Sequence, residues 1–381
     1  MTEQSTPGHP AADRSRPPRI GVGIIGASTG GWASISHVPA LKSLQDRYEL
    51  RAVSTSRRAS AQAAAEQSGA AAAYDNHTDL IADPGVDLVV VAVKVTHHRE
   101  LVTAALDAGK NVYSEWPLGV DLPEAAELVR RAGAAGVRTA IGLQARFAPQ
   151  VRHARDLIEQ GWIGRVLGTT LVGSGISWGP VTDRAHAYWF DAANGVTPLS
   201  VPALHALDAV HWTLGEFTDV SANLVTGRTE TTLAEDGSTL PVTAPDQVSV
   251  IGTLSGGAAA SLHYRGGLSR GDNLRWEING TEGDLVLTSP VGNLQVADLT
   301  LAGGRGDDTT VTPIATPSAY FTDVPADLTG PAHNVAQLYA QFARDLREGT
   351  SVVPGFDHAL VRHRLLATIE EAAATGRRAT L

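Results

Sequence analysis

The sequence contains no cysteine, and this absence excludes several classes of protein. Thiol catalysis, disulfide bonds and cysteine-ligated metals all need a sulfur atom that the chain does not have. No apolar run approaches the roughly 20 residues that cross a bilayer. Residues 1–18 lack the apolar segment of a secretory signal, so we expect a disordered leader and a cytoplasmic protein.

Positive charge is also scarce, with 30 Lys and Arg against 40 Asp and Glu. The formal net charge of −10 disfavours a general nucleic-acid-binding surface, because phosphate binding needs clustered cations. We therefore expect neither direct nucleic-acid binding nor membrane association. The 381 residues, 43% of them hydrophobic, are enough for two ordinary domains with separate cores.

Alternating strand and helix patterns predict a Rossmann domain over residues 19–142. Apolar runs predict strands at 19–25, 50–54, 86–93, 111–114 and 138–142, and helical spacing occurs at 32–45, 58–68, 98–108 and 122–134. Strands that alternate with helices at this interval indicate βαβ units, and hence a parallel sheet covered on both faces.

The pattern changes in residues 143–381, which predict an α+β domain with a mostly antiparallel, open-faced sheet. Strands are expected at 168–173, 219–226, 248–254, 258–264, 275–279 and 284–287, and helices at 149–160, 199–214, 334–348 and 357–375. We expect the C-terminal helices to pack back on the core. The polar segments 230–244 and 303–308 are expected to be loops.

The first strand leads into Gly26-Ala-Ser-Thr-Gly30-Gly31-Trp32, which predicts a phosphate-binding turn before a helix. Ser28 and Thr29 add hydroxyl donors for the same anion. Ser28 departs from G-x-G-x-x-G, since it occupies the second glycine position. The order of strand, turn and helix favours nucleotide binding over an ordinary corner of the chain.

The second strand ends without the acidic residue that NAD sites usually place there for the ribose hydroxyls. The segment instead carries Ser54, Ser56, Arg57 and Arg58. Hydroxyls followed by two guanidinium groups suit a 2′-phosphate, so we expect NADP(H). The alternative is a solvated helix start in which the arginines have no ligand.

At Glu115-Trp116-Pro117-Leu118 the chain resembles the glucose–fructose oxidoreductase / inositol dehydrogenase / MocA family, whose members carry Glu-Lys-Pro there. His37-Val-Pro-Ala, Gly142-Leu-Gln-Ala-Arg146 and the last helical segment extend the resemblance over about 19–381. Within that family, Gly31-Trp32-Ala33 and Asn194-Gly195-Val196 resemble the branch of the fungal galactose-pathway repressor, a dinucleotide-binding regulator.

The resemblance implies that two of the family's three usual catalytic groups are missing. The family's lysine contacts nicotinamide and substrate, and Trp116 stands in its place. The family's Asp-x-x-x-His becomes Val201-Pro-Ala-Leu-His205, so the histidine is kept and the acid is not. His205 is therefore the expected proton-transfer group, and the hydroxyl of Tyr188 is a second candidate.

Further residues complete the expected site. The resemblance implies cofactor contacts by Glu115, Trp116 and Gln144, and His98 opens a helix near the cofactor cleft. The aromatic segment 177–194 carries Trp178, His186 and Tyr188 and suits a carbohydrate or, equally, an oligomer contact. Arg146 follows the last Rossmann strand and Asp208 follows His205 by three residues, and both are expected to contact substrate. No third ligand joins His97 and His98, so we expect no metal.

Three functional hypotheses remain open at this point. The first is an NADP-dependent oxidoreductase acting on a sugar or related polyol, and the second is a non-catalytic NADP-binding sensor that controls a protein partner. The third is an unusual lyase or isomerase step that uses a permanently bound cofactor. In each case the uncovered face of the second sheet predicts a homodimer.

Overall fold

Two large sheets organise the chain in a computed structural model that describes residues 18–325 and 327–381. The leader expected at the N-terminus lies outside the described residues, apart from residue 18. The first sheet is six-stranded and parallel, and the second is nine-stranded and mixed. Among the described residues, no helix combines the length and the apolar character that a membrane crossing requires.

The six strands of the first sheet follow the order β3-β2-β1-β4-β5-β6, and all of them pair in parallel. They are β1 (Ile20–Ile25), β2 (Tyr48–Ser54), β3 (Ala72–Tyr74), β4 (Leu88–Val91), β5 (Asn111–Ser114) and β6 (Thr139–Ile141). This arrangement confirms the predicted Rossmann sheet. The order reverses between β1 and β4, and the crevice beyond their carboxyl ends is where such folds bind ligands.

The helices of this part are α1 (Trp32–Ile35), α2 (His37–Ser43), α3 (Arg58–Ser68), α4 (His77–Ala82), α5 (His98–Asp107) and α6 (Leu122–Ala135). The expected single helix over 32–45 is wrong, because the chain leaves helical geometry at Ser36, with φ −122° and ψ −67°. The Ser36 hydroxyl donates to the Trp32 carbonyl at 2.6 Å, a local bond of the kind that competes with helical geometry.

The second part begins with α7 (Pro149–Glu159) and builds a sheet in the order β17-β16-β15-β14-β7-β13-β12-β9-β18. Strands β7 and β13 pair in parallel, and the other neighbours pair antiparallel. The strands are β7 (Val166–Gly175), β9 (Phe217–Val225), β12 (Gln247–Leu254), β13 (Ala259–Gly266), β14 (Leu274–Gly280), β15 (Gly283–Ser289), β16 (Thr300–Arg305), β17 (Thr312–Pro313) and β18 (Ala379–Thr380). The predicted α+β architecture is confirmed.

Two segments expected as loops contain strands. Within 230–244 lie β10 (Glu230–Leu233) and β11 (Thr239–Pro241), which form a small sheet with β8 (Val181–Thr182). Residues 303–305 belong to β16. These strands are rich in Thr, Glu and Gly and half-exposed, so they lack the apolar alternation from which a strand is predicted.

Three helices complete the second part: α8 (Leu204–Leu214), α9 (Pro331–Glu348) and α10 (Phe356–Thr375). A π-helical turn, Leu199–Ala203, runs directly into α8. Helix α9 packs against α2, and α10 packs against α6 and β6. The end of the chain therefore covers parts of the N-terminal sheet and its helices.

The large sheet has one buried face and one open face. Along β12, Val248 and Val250 are fully buried, whereas the next residue, Ile251, is 56% exposed. This alternation follows from the two-residue repeat of a strand. The open face is the surface that the sequence assigned to a dimer contact.

Candidate functional site

The turn after β1 is shaped by glycines. Gly26 has φ +97°, and a Cβ at this position would collide with the carbonyl oxygen of Ala92. Gly30 has φ +75° and open space around it, and Ser28 and Thr29 are exposed. The turn therefore presents backbone and hydroxyl groups to solvent at the β1–β4 crevice, which fits a dinucleotide phosphate.

The edge beyond β2 carries the arginines of the predicted 2′-phosphate site. Arg57 and Arg58 are exposed at the N-terminus of α3, and Arg58 Nη1 donates to the Ala73 carbonyl at 3.0 Å. The side chain of Arg57 makes no hydrogen bond or ion pair with the described part of the chain. Ser56 is exposed as expected, but Ser54 is 2% exposed, and its carbonyl accepts from the Gly26 amide at 3.0 Å.

The residue after β5, Glu115, is held by two residues that the sequence did not assign to the site. His37 Nε2 donates to Glu115 Oε1 at 2.8 Å, and His37 Nδ1 is hydrogen-bonded to the Tyr339 hydroxyl at 2.7 Å. A Cβ at Gly142 would lie 2.8 Å from Glu115 Oε2, so the glycine is needed for the carboxylate to approach β6. Burial and the charge of Glu115 raise the pKa of the Tyr113 hydroxyl beside this chain of contacts.

His205 and Gln144 bring unpartnered polar atoms to the same region. Residues 144–147 pack against α8, and both side chains are buried, with exposures of 3% for His205 and 1% for Gln144. Among the described residues, neither His205 Nδ1 nor Gln144 Oε1 has a hydrogen-bond partner. Burial lowers the pKa of His205 to about 4, and the charges of Glu115 and Asp208 oppose that shift. Other buried polar atoms of the described residues also lack partners, and this pair is a candidate for contact with a bound molecule because it lies beside Glu115.

Trp116 does not have the free ring expected of a residue that stacks on nicotinamide. Its Nε1 donates to the Ser200 carbonyl at 2.6 Å, and its ring centroid lies 4.7 Å from that of His363. Trp116 is 5% exposed and belongs to the main hydrophobic core. The π-helical turn and α10 occupy the polar edge and one side of the ring, and a cofactor contact of Trp116 by stacking or by lining the pocket stays a prediction.

Arg146 and Asp208 are bound to each other and not free for substrate. Arg146 Nε donates to Asp208 Oδ2 at 2.9 Å. His358 Nε2 lies 2.6 Å from Asp208 Oδ1, and Arg362 Nε lies 3.7 Å from the same oxygen. Burial alone would raise the pKa of Asp208, but the charges of Arg146 and its neighbours lower it far below its usual range. The substrate contacts predicted for Arg146 and Asp208 are therefore replaced by a buried ion cluster.

His98 also has a structural position in place of the expected cofactor contact. Its Nδ1 lies 2.9 Å from the Pro117 carbonyl and its Nε2 lies 3.1 Å from the Val93 carbonyl. The ring is 1% exposed, and burial lowers its pKa. With both nitrogens facing backbone carbonyls, His98 ties the end of β4 to the segment after β5.

The aromatic segment 177–194 forms a stacked layer. Trp178 is 3% exposed, its Nε1 donates to the Trp189 carbonyl at 3.0 Å, and the two rings stack at 5.2 Å. The ring of Trp178 is covered by this stacking, and the use of the segment for a carbohydrate or, equally, for an oligomer contact stays a prediction. His186 remains exposed beside Asp183, at 2.8 Å from Oδ1. Tyr188 is half-buried, and its burial raises the pKa of its hydroxyl.

Known families match both parts of this chain. Residues 20–143 match the oxidoreductase family with an NAD-binding Rossmann fold, GFO/IDH/MocA, and residues 149–289 match the C-terminal domain of Gal80p. These matches confirm the resemblance of the chain to the GFO/IDH/MocA family. Within it, the second match confirms the resemblance to the Gal80-like branch.

Relatives in this family include dehydrogenases and a regulator. The dehydrogenase aclE of Aspergillus oryzae is 37% identical over 212 residues, 54% of this chain and 57% of that protein, so the chain spans little more than half its length. The galactose/lactose metabolism regulatory protein GAL80 of Saccharomyces cerevisiae is 28% identical over 313 residues, 76% of this chain and 72% of that protein. Levoglucosan dehydrogenase in complex with NADH and L-sorbose has the same fold, with a TM-score of 0.83 at 23% identity over 95% of this chain and 98% of that one.

Proposed function

We propose that this protein is a cytoplasmic NADP(H)-dependent oxidoreductase that acts on a sugar or a related polyol or keto compound. The observation that carries the proposal is His205, a buried imidazole with an unpartnered Nδ1 beside the charge of Glu115. A neutral imidazole can accept the proton of a substrate hydroxyl. Because the pKa of His205 is about 4, its ring is in this accepting form at neutral pH.

The residues present fit the cofactor. The glycine turn at 26–31 would hold the diphosphate, and Ser56, Arg57 and Arg58 would hold a 2′-phosphate, for which NAD(H) has no counterpart. Glu115 and Gln144 would contact the nicotinamide end. When bound, the cofactor exchanges a hydride with the substrate carbon. The protein's part is to hold the reacting atoms in place, to exclude water and to accept or return the hydroxyl proton at His205.

A panel of sugars and polyols with NADP⁺, followed through the absorbance of the reduced cofactor, tests the proposal. His205→Asn should cut turnover by roughly 10²-fold while NADP⁺ affinity stays nearly unchanged. His77→Asn, at the start of α4, is the matched control and should keep full turnover. If His205→Asn keeps native turnover, His205 is not the proton-transfer group, and Tyr188 becomes the candidate for that role.

A non-catalytic sensor is the second candidate function. Trp116 and Val201 replace the lysine and the acid that the resemblance implies, and a GAL80 regulator is among the relatives. A regulator would keep the nucleotide contacts and use them to control a protein partner. Tight NADP⁺ binding without turnover of any compound in the panel would favour the sensor over the enzyme.

A homodimer through the open sheet face belongs to the same proposal. This face carries Ile251, 56% exposed, above the small residues Gly168 and Ala259, in a depression of about 450 Å³. A stable pairing there would bury more than about 1,000 Å². Light scattering should give twice 39.8 kDa, and Ile251→Glu should give monomers, whereas Val352→Glu, 59% exposed outside the sheet, should not. A monomeric native protein would contradict this assembly.

A further inference from the structure

Lysine is rare in this chain, and one of its three lysines has an unusual position. Lys110 Nζ donates to the Val86 carbonyl at 2.7 Å, and Lys42 Nζ donates to the Gln67 carbonyl at 3.2 Å. Lys94 Nζ instead lies 4.3 Å from the ring centroid of Tyr188. Across residues 18–325 and 327–381, its ammonium has no carboxylate or carbonyl partner. Its three donors are therefore free for a ligand.

The backbone places Lys94 at the edge of the nucleotide crevice. The Ala92 amide donates to the Ile25 carbonyl at 3.0 Å, so the end of β4 still pairs with β1. A Cβ at Gly26 would meet Ala92 and Val93, which shows how closely the phosphate turn and this segment pack. Lys94 follows directly, at the carboxyl edge where Rossmann sheets bind their ligands.

An apolar wall stands behind this lysine. Its neighbour Val95 is buried with Trp178 and Phe190, and Tyr188 and Val201 pack against that cluster. Val201 is the position at which the resemblance implies an acid. A cation held on an aromatic face and backed by apolar groups acts more strongly on a nearby anion than one surrounded by water. Lys94 and the position of the missing acid thus belong to one wall.

We propose that Lys94 supplies, from the segment after β4, the ammonium that position 116 lacks, and that it contacts the nicotinamide end of the cofactor and the reacting oxygen of the substrate. The substrate half rests on the proposed function. With the oxidised cofactor bound, the substrate's C–H bond would break and the hydrogen would pass with its electron pair to the nicotinamide. The O–H proton passes to His205, and the oxygen becomes a carbonyl. Lys94 keeps its protons and stabilises the negative charge on that oxygen.

Competitive acetylation of the three lysines, read by mass spectrometry, tests the location without any need for turnover. Saturating NADP⁺ should slow the modification of Lys94 by at least about tenfold, as a contacting ligand does, and leave Lys42 unchanged. The fragment 2′,5′-ADP, which lacks nicotinamide, should not protect Lys94. If NADP⁺ is bound, as shown by tryptophan fluorescence, and Lys94 is modified at its free rate, the proposal fails. Absence of NADP⁺ binding would instead overturn the proposed function.

A second measurement tests the role on the reacting oxygen, with the best substrate from the panel. Lys94→Met should lower kcat by roughly 30-fold or more, since a charge contact made in the transition state is lost. Lys94→Arg keeps the cation, so its kcat should be at least about tenfold higher than that of Lys94→Met. Lys42→Met is the matched control and should have native kinetics. An unchanged kcat in Lys94→Met would overturn the proposal.

Discussion

At the proposed phosphate end of the cleft, Ser28, Thr29 and Arg57 are exposed, whereas at the proposed reacting end Trp116, Gln144 and His205 are 5%, 1% and 3% exposed. The first region consists of a turn and a strand end whose polar groups face solvent. The second is held together by contacts between distant segments. A ligand can form hydrogen bonds with the exposed groups of the first region without changing the fold. A substitution in the buried second region also changes the packing of the protein.

The largest expected effect on stability is at the buried ion cluster of the second region. Asp208→Asn should lower the free energy of unfolding by about 3–5 kcal/mol, because Arg146 and Arg362 would then be buried without a full counter-charge. Asp219→Asn is the control, since Asp219 pairs with Arg378, whose side chain is 63% exposed, and it should cost about 1 kcal/mol or less. Urea denaturation measures the free energy of unfolding of both variants. Equal losses of this free energy would contradict the contrast between the two regions.

Low pH should also destabilise the protein through buried histidines near the proposed reacting end. Burial lowers the pKa of His363, under Trp116, to about 4 from the ordinary 6.5. The folded protein binds fewer protons than the unfolded chain in this interval, so stability is intact above pH 6.5 and is lost as the pH falls towards 4. The interval corresponds to roughly 3 kcal/mol, at about 1.4 kcal/mol per pH unit.

His363→Leu should reduce the slope of the unfolding free energy against pH in this interval, because leucine fills the site beside Trp116 and does not titrate, whereas His205 and His98 still contribute to the slope. His97→Gln, at an exposed position, should leave the slope unchanged. Denaturation at a series of pH values between 4 and 7 gives the result. If the unfolding free energy of His363→Leu changes with pH as steeply as that of the native protein, burial of this ring does not contribute to the acid sensitivity.

The smallest expected effect is at the phosphate end. NADP(H) should bind at least about tenfold more tightly than NAD(H), or about 1.4 kcal/mol, and Arg57→Ala should remove most of that difference. Arg130→Ala, on α6, is the control. Fluorescence titration with both cofactors measures the ratio, and equal affinities in the native protein would contradict the assignment of the 2′-phosphate to this edge. Arg57→Ala should leave the unfolding free energy nearly unchanged.

The same contrast explains what the sequence could predict. The glycine turn, the strands β1, β4 and β5 and the alternation of β12 follow from neighbouring residues, and the structure confirms those elements. The contacts of the reacting end join residues far apart in the chain: Arg146 and Asp208 are separated by 62 positions, and His37 and Tyr339 by 302. No local spacing indicates such pairs, which is why the sequence predicts a substrate contact for Arg146 and no site role for His37.

The packing of α9 has a consequence for how the protein is synthesised. Val335 and Leu338 of this helix share a core with Val22, Ile24 and Tyr48 of the N-terminal sheet. A nascent chain therefore leaves part of that apolar sheet face uncovered until the ribosome has translated α9, which begins at residue 331. Because exposed apolar surface promotes aggregation, we expect the growing polypeptide to be more prone to aggregate during that period than after it. Messenger variants that slow translation between residues 142 and 331 should consequently lower the yield of native protein more than those that slow it later.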